Sequence, residues 1–516
     1  MRALPDTPAR KIPVEGEGKS MAYVIGVDGG TESIRAGIFD LTGRPLAFAS
    51  TPYKTHFPHP AWAEQNPNDW WNGLGQSIRK ALAEAGVRKE EVIGLSVDTT
   101  CCSVVALDEQ GSPLRPALIW MDVRAAHETE LVLQTGDDAL IVNSNGKGPV
   151  SAEWMVPKAL WIARNEPEIF RKAATICEYQ DYINYHLTGR MVASIGNIAP
   201  RWHYRASAGG FPISLIEKLG IPDLAQKWPR EITKLGEVIG PLTATAAEHC
   251  GLVAGTPIAQ GGPDAFIAMI GLGVVKPGAL AFITGSSHLH LGLSPKPFHG
   301  KGIWGTYEDA LIPGLHVVEG GQTSTGSVIN WYKNLLGDAV SYETLNVEAA
   351  ALPPGADGLV VQEHFQGNRT PHTDALSRGA ITGLSLKHTR AHIFRAIIEG
   401  VAFGTEAIFK AMRANGYQPT EFRVCGGATR SDLWLQIHAD VSGIPLTLTE
   451  VADAPALGSA ILAAVAAGHY ASIEDAAKLM VKVTRRIEPD MKKHEDYKPL
   501  FAAYERAYPA LKSIAG

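Results

Sequence analysis

Glycine-rich turns that follow apolar runs are the first residues in this sequence that could do chemistry. Asp28-Gly29-Gly30-Thr31 comes directly after the strand-like run Tyr23–Val27, and Ser33 and Arg35 add a hydroxyl and a fixed positive charge. Backbone N–H groups in a turn of small residues form a nest that binds anions. The motif suits the terminal phosphates of a nucleotide, with Asp28 reaching a Mg²⁺ ion. Taken alone it is weak, because Asp-Gly-Gly is also a common hairpin turn.

Two later glycine turns offer similar chemistry. Gly285-Ser286-Ser287 follows the run Ala279–Thr284, and Gly426-Gly427-Ala428 lies between the run Phe422–Cys425 and a helical segment. A ligand could approach the bare backbone of such a turn closely. Neither is a P-loop, because the Gly-Lys-Ser/Thr ending is missing. No G-x-G-x-x-G lies in a strand-helix-strand unit, which disfavours a dinucleotide enzyme.

A single acid follows another glycine pair in Gly261-Gly262-Pro263-Asp264-Ala265, just before the apolar helical run Ala265–Ile270. An aspartate at the start of a helix is most often an N-cap. The functional alternative is a general base at the floor of a cleft. The residues alone leave both interpretations open.

An aromatic, an acid and a base stand together in Trp120-Met121-Asp122-Val123-Arg124-Ala125. Aromatic faces pack on the C–H surfaces of sugars, and Asp with Arg binds pairs of hydroxyls. The cluster therefore indicates a carbohydrate site. The alternative is a local ion pair, which contributes little if it is exposed.

Histidines occur in two close pairs, His288 with His290 on a strand and His388 with His392 on a predicted helix. Neither pair has the third ligand nearby that a zinc site needs. We therefore expect no zinc centre.

Length and composition set the class of protein. The chain has 516 residues, 45% of them hydrophobic, and a formal net charge of −6, which disfavours a broad nucleic-acid surface. Five cysteines without C-x-x-C spacing indicate a reducing compartment. Residues 1–20 lack the apolar core of a secretory signal, and no run of about 18–20 apolar residues could span a membrane. We expect a flexible leader at residues 1–20 and a cytoplasmic protein.

Alternating strand and helix patterns predict an α/β fold. The strand-turn-strand unit around Gly30 returns around Gly285, about half the chain later. Such an offset indicates two homologous domains, although two unrelated hairpins would look the same. With a boundary in Gly271–Gly278, we expect an N-terminal domain at residues 21–272 and a C-terminal domain with a helical tail at residues 273–516.

Taken together, these motifs resemble the FGGY carbohydrate kinases, a branch of the actin and hexokinase-like superfamily. Gly379-Ala380-Ile381-Thr382-Gly383-Leu384, followed after seven residues by His392–Glu399, is similar to the family's C-terminal signature. The segment Ser151–Trp161, with Glu153, Pro157 and Lys158, is similar to its N-terminal signature. The resemblance implies two duplicated ribonuclease H-like domains around a deep cleft.

Within the family, the sequence is most similar to ribulokinase-type pentulose kinases, as shown by Val97–Cys102, Trp120–Ala125, Glu319–Gln322 and His364–Pro371. The resemblance implies ATP and Mg²⁺ as cofactors and Asp264 as the catalytic base. It assigns the metal to Asp28 and Asp264. The sugar site would contain Cys101, Trp120, Asp122, Arg124, Arg201, Asp264 and Glu319, and the ATP site Gly30, Thr31, Ser33, Arg35, Gly285, Ser286, Gly426, Gly427, Ala428 and Ser431.

Two residues depart from the family pattern. Arg201 stands in Arg201-Trp202-His203-Tyr204 where a lysine is expected, and Ser431 replaces the asparagine usual after the adenosine glycines. Arg is a rigid fork and Lys a flexible point charge. The first exchange leaves the identity of the sugar open, with surface ion pairing as the alternative role of Arg201. The second would weaken nucleotide contacts.

The expected reaction is ATP-dependent phosphorylation of the terminal hydroxyl of a pentulose, D-ribulose to D-ribulose 5-phosphate. L-ribulose, D-xylulose, a tetrulose or a polyol are alternative substrates. Two alternatives of another class are a non-catalytic sugar sensor and an actin-like polymerising or chaperone ATPase. The expected partners are the sugar and ATP, without nucleic acid or membrane, and a homodimer is left open.

Overall fold

Two mixed β-sheets, one in each half of the chain, organise the computed structural model, which describes residues 21–515. The predicted leader lies outside the described residues. The strands of the first half are β1 (Tyr23–Gly29), β2 (Ser33–Asp40), β3 (Pro45–Pro52), β4 (Glu64–Gln65), β5 (Val92–Thr99), β6 (Val104–Leu107), β7 (Ala117–Leu118), β8 (Thr175–Glu178), β9 (Val192–Ser194), β10 (Glu231–Thr233), β11 (Val238–Pro241) and β12 (Pro257–Ala259). Its helices are α1 (Pro67–Ala85), α2 (Ala126–Gln134), α3 (Met155–Asn165), α4 (Pro167–Lys172), α5 (Tyr179–Thr188), α6 (Ile195–Arg201), α7 (Ile213–Lys218), α8 (Leu224–Lys227), α9 (Ala244–Cys250) and α10 (Asp264–Gly271).

The second half has fewer strands and longer helices. Its strands are β13 (Ala279–Thr284), β14 (His288–Ser294), β15 (Trp304–Glu308), β16 (His316–Gln322), β17 (Val360–Gln362), β18 (Ala380–Thr382), β19 (Glu421–Gly426), β20 (Leu446–Thr449) and β21 (Val483–Ile487). Its helices are α11 (Gly326–Leu335), α12 (Tyr342–Ala350), α13 (Arg390–Ala414), α14 (Asp432–Ser442), α15 (Ala454–Ala466), α16 (Ile473–Met480) and α17 (Met491–Ala515). None of the helices within residues 21–515 combines the length and apolar character that crossing a membrane requires.

The two large sheets repeat one topology. The first has the order β3-β2-β1-β5-β12-β11, and the second contains β16-β14-β13-β19-β20-β21 with β15 added at one edge. In both, the successive pairs are antiparallel, antiparallel, parallel, parallel and antiparallel. The α/β fold with two duplicated domains is therefore confirmed, and the two glycine turns hold equivalent places after β1 and β13.

Local sequence explains the meander of the first sheet. The strand β1 is apolar and almost wholly buried, because it lies in the middle of the sheet between β2 and β5. The chain reverses after β2 because the Asp40 carboxylate accepts the backbone N–H groups of Thr42 and Arg44. Gly43 takes a left-handed φ of 85° in this turn, which favours glycine.

Helix α15 belongs to the second half of the chain but packs on β1 and β5 of the first sheet and on α10. Glycines make this close approach possible. A Cβ atom at Gly26 would lie 1.9 Å from the carbonyl oxygen of Ala456, and one at Gly458 would lie 2.1 Å from that of Ile267. The small-residue run Ala454–Ala466 is thus a packed helix, as its sequence predicts.

Substituting Gly458 by alanine tests this contact. Helix propensity alone predicts that Gly458→Ala stabilises the protein by about 0.5–1 kcal/mol. Because the new methyl group collides with the Ile267 carbonyl, we expect instead a net loss of about 1–3 kcal/mol, the range for overpacking. The midpoint of thermal unfolding measures the sign. A raised midpoint would show that α10 and α15 separate without cost.

Candidate functional site

Four aspartates meet where the two halves of the chain join. Asp28 and Asp98 lie side by side near the ends of the parallel strands β1 and β5. Asp264 is the first residue of α10, and Asp453 caps α15 by accepting the N–H of Ala456. The close packing of α10, α15 and the first sheet therefore brings carboxylates from both halves of the chain close together.

The surroundings of Asp28, Asp98 and Asp264 raise the pKa values of these three carboxyls. Burial, followed by the charges of Asp453 and Asp264, raises the pKa of Asp28 to about 7. Burial raises the pKa of Asp264 to about 6, opposed by the N–H of Ala265, which donates to Oδ1 at 2.6 Å. Asp98 is fully buried, and its pKa is raised by that burial and by Asp28.

Asp264 does not cap its helix. Pro263 occupies the cap position, and Asp264 is the first helical residue. The N-cap interpretation of Asp264 is therefore wrong. Its backbone hydrogen bond is to its immediate neighbour Ala265, a contact that orients the carboxylate at the cleft.

The acidic group has the chemistry that Mg²⁺ prefers. Asp98 Oδ1 is buried and has no hydrogen-bond partner in the described part of the chain, while Ser459 donates to its Oδ2 at 2.6 Å. Within residues 21–515, no three acidic, histidine or cysteine side chains form a metal centre by themselves. Mg²⁺ is usually held by one or two carboxylates together with water and substrate phosphates.

The turn after β1 is tied to several parts of the first half. The N–H of Gly30 donates to the Ser33 carbonyl at 3.1 Å, and the hydroxyl of Tyr53 donates to the Gly30 carbonyl. The indole of Trp120 donates to Thr31 Oγ1 at 2.8 Å. Arg35, expected at the phosphates, instead pairs with Asp453 and links β2 to the start of α15.

A cavity of about 430 Å³ lies in the second half and is lined by five of the ten predicted ATP residues. Its wall includes both later glycine turns and apolar side chains of α13 and α14. Gly326 and Thr325 support the turn after β13, because their N–H groups donate to the carbonyls of Gly285 and Ser286 at 3.1 and 3.0 Å. The lining residues are Gly285, Ser286, His288, Gly326, Ile329, Tyr342, Asn346, Phe394, Ile398, Gly427, Ala428, Arg430, Ser431 and Trp434.

The adjacent glycines after β19 have different roles. Gly426 has a φ of 96°, and a Cβ atom there would lie 1.8 Å from the Thr284 carbonyl oxygen, so it is required by the fold. Gly427 faces open space and lines the cavity. Ser431, also in the wall, donates to Asn346 Oδ1 at 2.6 Å. Sequence reasoning missed Asn346, since nothing local marks a residue on α12 for this pocket.

A second polar group gathers near the start of α10. Arg201 donates through Nη2 to both carboxylate oxygens of Glu319 and through Nη1 to the Tyr307 hydroxyl, all at 3.0 Å. The rings of Tyr307 and Phe266, on α10, lie 6.4 Å apart. The Glu319 side chain is only 2% exposed, so the alternative of a surface ion pair for Arg201 is wrong. Sequence reasoning missed Tyr307.

Cys101 belongs to the same neighbourhood. It is partly exposed, and the amide Nδ2 of Asn197 lies 3.9 Å from its sulfur. Burial, the neighbouring Cys102 and Glu178 raise the pKa of its thiol, while the charge of Arg201 opposes them. The thiol is therefore protonated at neutral pH, and it lines this region rather than acting as a nucleophile.

The remaining predicted sugar residues divide into one exposed and two enclosed side chains. Trp120 is 36% exposed beside the first glycine turn. The side chains of Asp122 and Arg124 are fully buried against each other. Arg124 also pairs with Glu64 and lies 3.7 Å from the centre of the Trp62 ring. The Asp122 carboxylate accepts hydrogen bonds from Arg124 and from the N–H of Ala63, whereas Arg124 Nη1 is buried and has no partner in the described part of the chain. A ligand-binding role for Asp122 and Arg124 stays a prediction from the resemblance.

The histidine pairs form no metal centre within residues 21–515, although His288 lines the cavity of the second half. His288 and His290 are buried on β14 among aromatic rings, and burial keeps their pKa values low. His392 lies on α13, but His388 precedes that helix, which begins at Arg390. The helical placement predicted for His388 is therefore wrong.

Comparison with known proteins identifies the family. The family model for the FGGY family of carbohydrate kinases, N-terminal domain, matches residues 23–271, and the C-terminal domain model matches residues 280–467. A ribulokinase from Geobacillus thermodenitrificans is 32% identical over 94% of this chain and 93% of its own length. A human FGGY carbohydrate kinase domain-containing protein is 31% identical over 94% of this chain and 96% of its own.

Solved structures agree with this assignment. Xylulose kinase from Rhodospirillum rubrum superposes with a TM-score of 0.87 at 30% identity, covering 96% of this chain and 99% of that one. Glycerol kinase from Plasmodium falciparum shares the fold with a TM-score of 0.81 at 19% identity, covering 94% and 98% of the two chains. The chain therefore belongs to the FGGY family of carbohydrate kinases, enzymes that transfer a phosphoryl group to an alcohol of a sugar.

Proposed function

We propose that this carbohydrate kinase phosphorylates the terminal hydroxyl of a pentulose, with D-ribulose converted to D-ribulose 5-phosphate. The observation that carries the proposal is the Arg201–Glu319–Tyr307 group beside α10, the helix that begins with Asp264. A guanidinium fork and a carboxylate can bind neighbouring hydroxyls of a ketose. Relatives named ribulokinase, at 32% identity, support a pentulose.

Asp264 is proposed as the base that accepts the proton of the attacking hydroxyl. A pKa of about 6 leaves this carboxylate mostly ionised at neutral pH and close enough to the working pH to accept a proton efficiently. Phosphoryl transfer depends mainly on positioning and charge stabilisation. The glycine turns after β1 and β13 would orient the phosphates with their N–H groups, and the cavity in the second half would hold the nucleoside.

ATP is the phosphoryl donor of this family. We propose that Asp28 and Asp264 hold Mg²⁺. Asp98 lies beside Asp28 on the neighbouring strand, and Ser459 donates a hydrogen bond to Asp98. When bound, the ion supplies positive charge that offsets the charge of the phosphates. A closed cleft would exclude water, which could otherwise accept the phosphoryl group in place of the sugar.

Other sugars are alternative substrates for the same reaction. Xylulose kinases occur among the relatives and solved structures, so D-xylulose is the second candidate. L-ribulose, a tetrulose and a polyol follow. Membership in a family of carbohydrate kinases disfavours the two other classes considered from the sequence, a non-catalytic sugar sensor and a polymerising ATPase.

Three further predictions concern the whole protein. We propose a cytoplasmic location, because all five cysteines are free thiols. We propose a domain division at residues 272–273, with α15 packing back on the first domain. A homodimer remains a prediction from sequence.

The first activity test removes the proposed base. In Asp264→Asn the side chain keeps its shape but cannot accept the proton, so turnover should fall by roughly 10²–10⁴-fold. Sugar binding, measured calorimetrically without ATP, should change little. Near-normal turnover would exclude Asp264 as the base.

The pH profile provides a second test of the same group. Because the raised pKa of Asp264 is about 6, wild-type activity should decline as the pH falls through 6, when the carboxylate becomes protonated. The profile of kcat/KM, which reports ionisations of the free enzyme, should show this acidic limb, and the residual activity of Asp264→Asn should lack it. An identical limb in both proteins would assign it to another group.

A third test concerns recognition of the sugar. Arg201→Lys can keep the contact with Glu319 or with Tyr307 but not the fork to both, and a hydrogen bond to a charged group contributes about 1.5–3 kcal/mol. The ranking of D-ribulose, L-ribulose and D-xylulose by kcat/KM should therefore change. Arg205→Lys, on the same segment but bonded to the Asp138 carbonyl, is the matched control. If both variants keep the wild-type ranking, Arg201 does not determine which ketose the enzyme prefers.

A further inference from the structure

One buried carboxylate connects three segments on the sugar side of the cleft. Glu178, at the end of β8, is wholly buried. Its oxygens accept the backbone N–H of Cys102 at 2.9 Å, the amide Nδ2 of Asn197 at 2.8 Å and the indole Nε1 of Trp202 at 2.6 Å. All three donors lie next to residues assigned to the sugar pocket or in contact with them.

Two of these bonds act beside Cys101, and the third acts beside Arg201. Cys102 follows Cys101, Trp202 follows Arg201, and Asn197 lies within 3.9 Å of the Cys101 sulfur. Cys102 has a left-handed φ of 66°, which is unfavourable for a residue with a side chain. The bond from its N–H to Glu178 helps to hold the turn in this conformation.

A buried lysine holds the same turn from the other side. Lys158, on α3, is wholly buried, and its Nζ donates to the carbonyl of Cys102 at 2.8 Å and to that of Ile119 at 2.7 Å. Ile119 directly precedes Trp120, the exposed aromatic at the first glycine turn. The peptide groups of Cys102 are thus bound between a buried anion and a buried cation.

Burying two charged groups costs desolvation free energy, and apolar side chains of similar volume often stabilise a core equally well or better. Fixed charges do, however, hold peptide groups in one arrangement better than apolar contacts can. We propose that Glu178 and Lys158 are positioning residues that set the shape of the ketose pocket and thereby its affinity and selectivity, without touching the sugar. This inference rests on the proposed function of Cys101, Trp120 and Arg201 as sugar residues.

The decisive variant is Glu178→Gln, which keeps the side-chain shape but places an NH2 group against one of three donors. We expect the KM for the preferred ketose to rise roughly 10–100-fold, the loss of one or two charged hydrogen bonds. The ratio of kcat/KM between ketoses should move toward one. The KM for ATP, and the pH at which the kcat/KM profile falls on its acidic side, should stay as in the wild type.

The second half of the chain offers a matched control. Glu399 is also a buried carboxylate with three partners, the N–H of Gly355 at 3.1 Å, Arg395 Nε at 2.8 Å and the Tyr497 hydroxyl at 2.9 Å. Glu399→Gln should lower the thermal midpoint by an amount similar to Glu178→Gln and leave the ketose KM and ranking unchanged. Equal effects of both variants on the ketose KM would overturn the proposal.

A milder variant keeps the test valid if Glu178→Gln does not fold. Asn197→Ser removes one of the three donors, and we expect a smaller rise of the ketose KM in the same direction. An unchanged ketose KM and ranking in this variant would also overturn the proposal. A wild-type protein that phosphorylates no pentulose would refute the proposed substrate class, and the same comparison with the sugar it does accept then tests Glu178 separately.

Discussion

The close approach of α15 to the first sheet and to α10 is the constraint on which the active cleft depends. Glycines at Gly26 and Gly458 remove the atoms that would keep these elements apart. With the elements in contact, Asp453 at the start of α15 meets Arg35 and Asp28, and Ser459 on the same helix reaches the buried Asp98. Helix α15, near the end of the chain, thus completes a group of carboxylates whose first member, Asp28, lies near the beginning of the chain.

The same packing determines the electrostatics of the site. Several carboxylates share a partly buried space, so each raises the free energy of ionising the next. The arrangement is unfavourable without a cation and becomes favourable when positive charge is present. A kinase that receives its phosphates together with a metal ion benefits from such a site, because the charge that stabilises the transferred group arrives with the substrate.

The two sides of the cleft use different physics. The proposed nucleotide side is a cavity with apolar walls and exposed backbone, suited to a flat base and to phosphates that bind N–H groups. The proposed sugar side is polar and held together by hydrogen bonds between buried charged groups, from Arg201 with Glu319 to Glu178 with its three donors. Discrimination between similar polyols requires hydrogen-bonding groups in fixed positions, because misplaced donors reject a wrong isomer only if they cannot adjust.

Local patterns predicted the strands β1, β2, β13, β14 and β19, the three glycine turns and a helix that starts near Asp264. These features follow from hydrophobic period and turn chemistry, which act over a few residues. The repeat of β1-turn-β2 as β13-turn-β14 further indicated a duplication, and the sheet topology confirms it strand by strand. Motif resemblance added the family and the assignment of Asp264.

Only the tertiary structure decided which side chains are free to act. Trp120, Asp122 and Arg124 are neighbours in sequence, yet the first is exposed at the cleft and the other two are enclosed in an ion-pair cluster with Glu64. Tyr307, Asn346 and Glu178 carry no local signature, because their roles arise from contacts with residues far away in the chain. Sequence determined which residues could bind phosphate or accept a proton, since that is a property of side-chain type and turn geometry. Long-range packing determined which of them share the cleft, because burial and partner choice depend on elements that meet only in the folded protein.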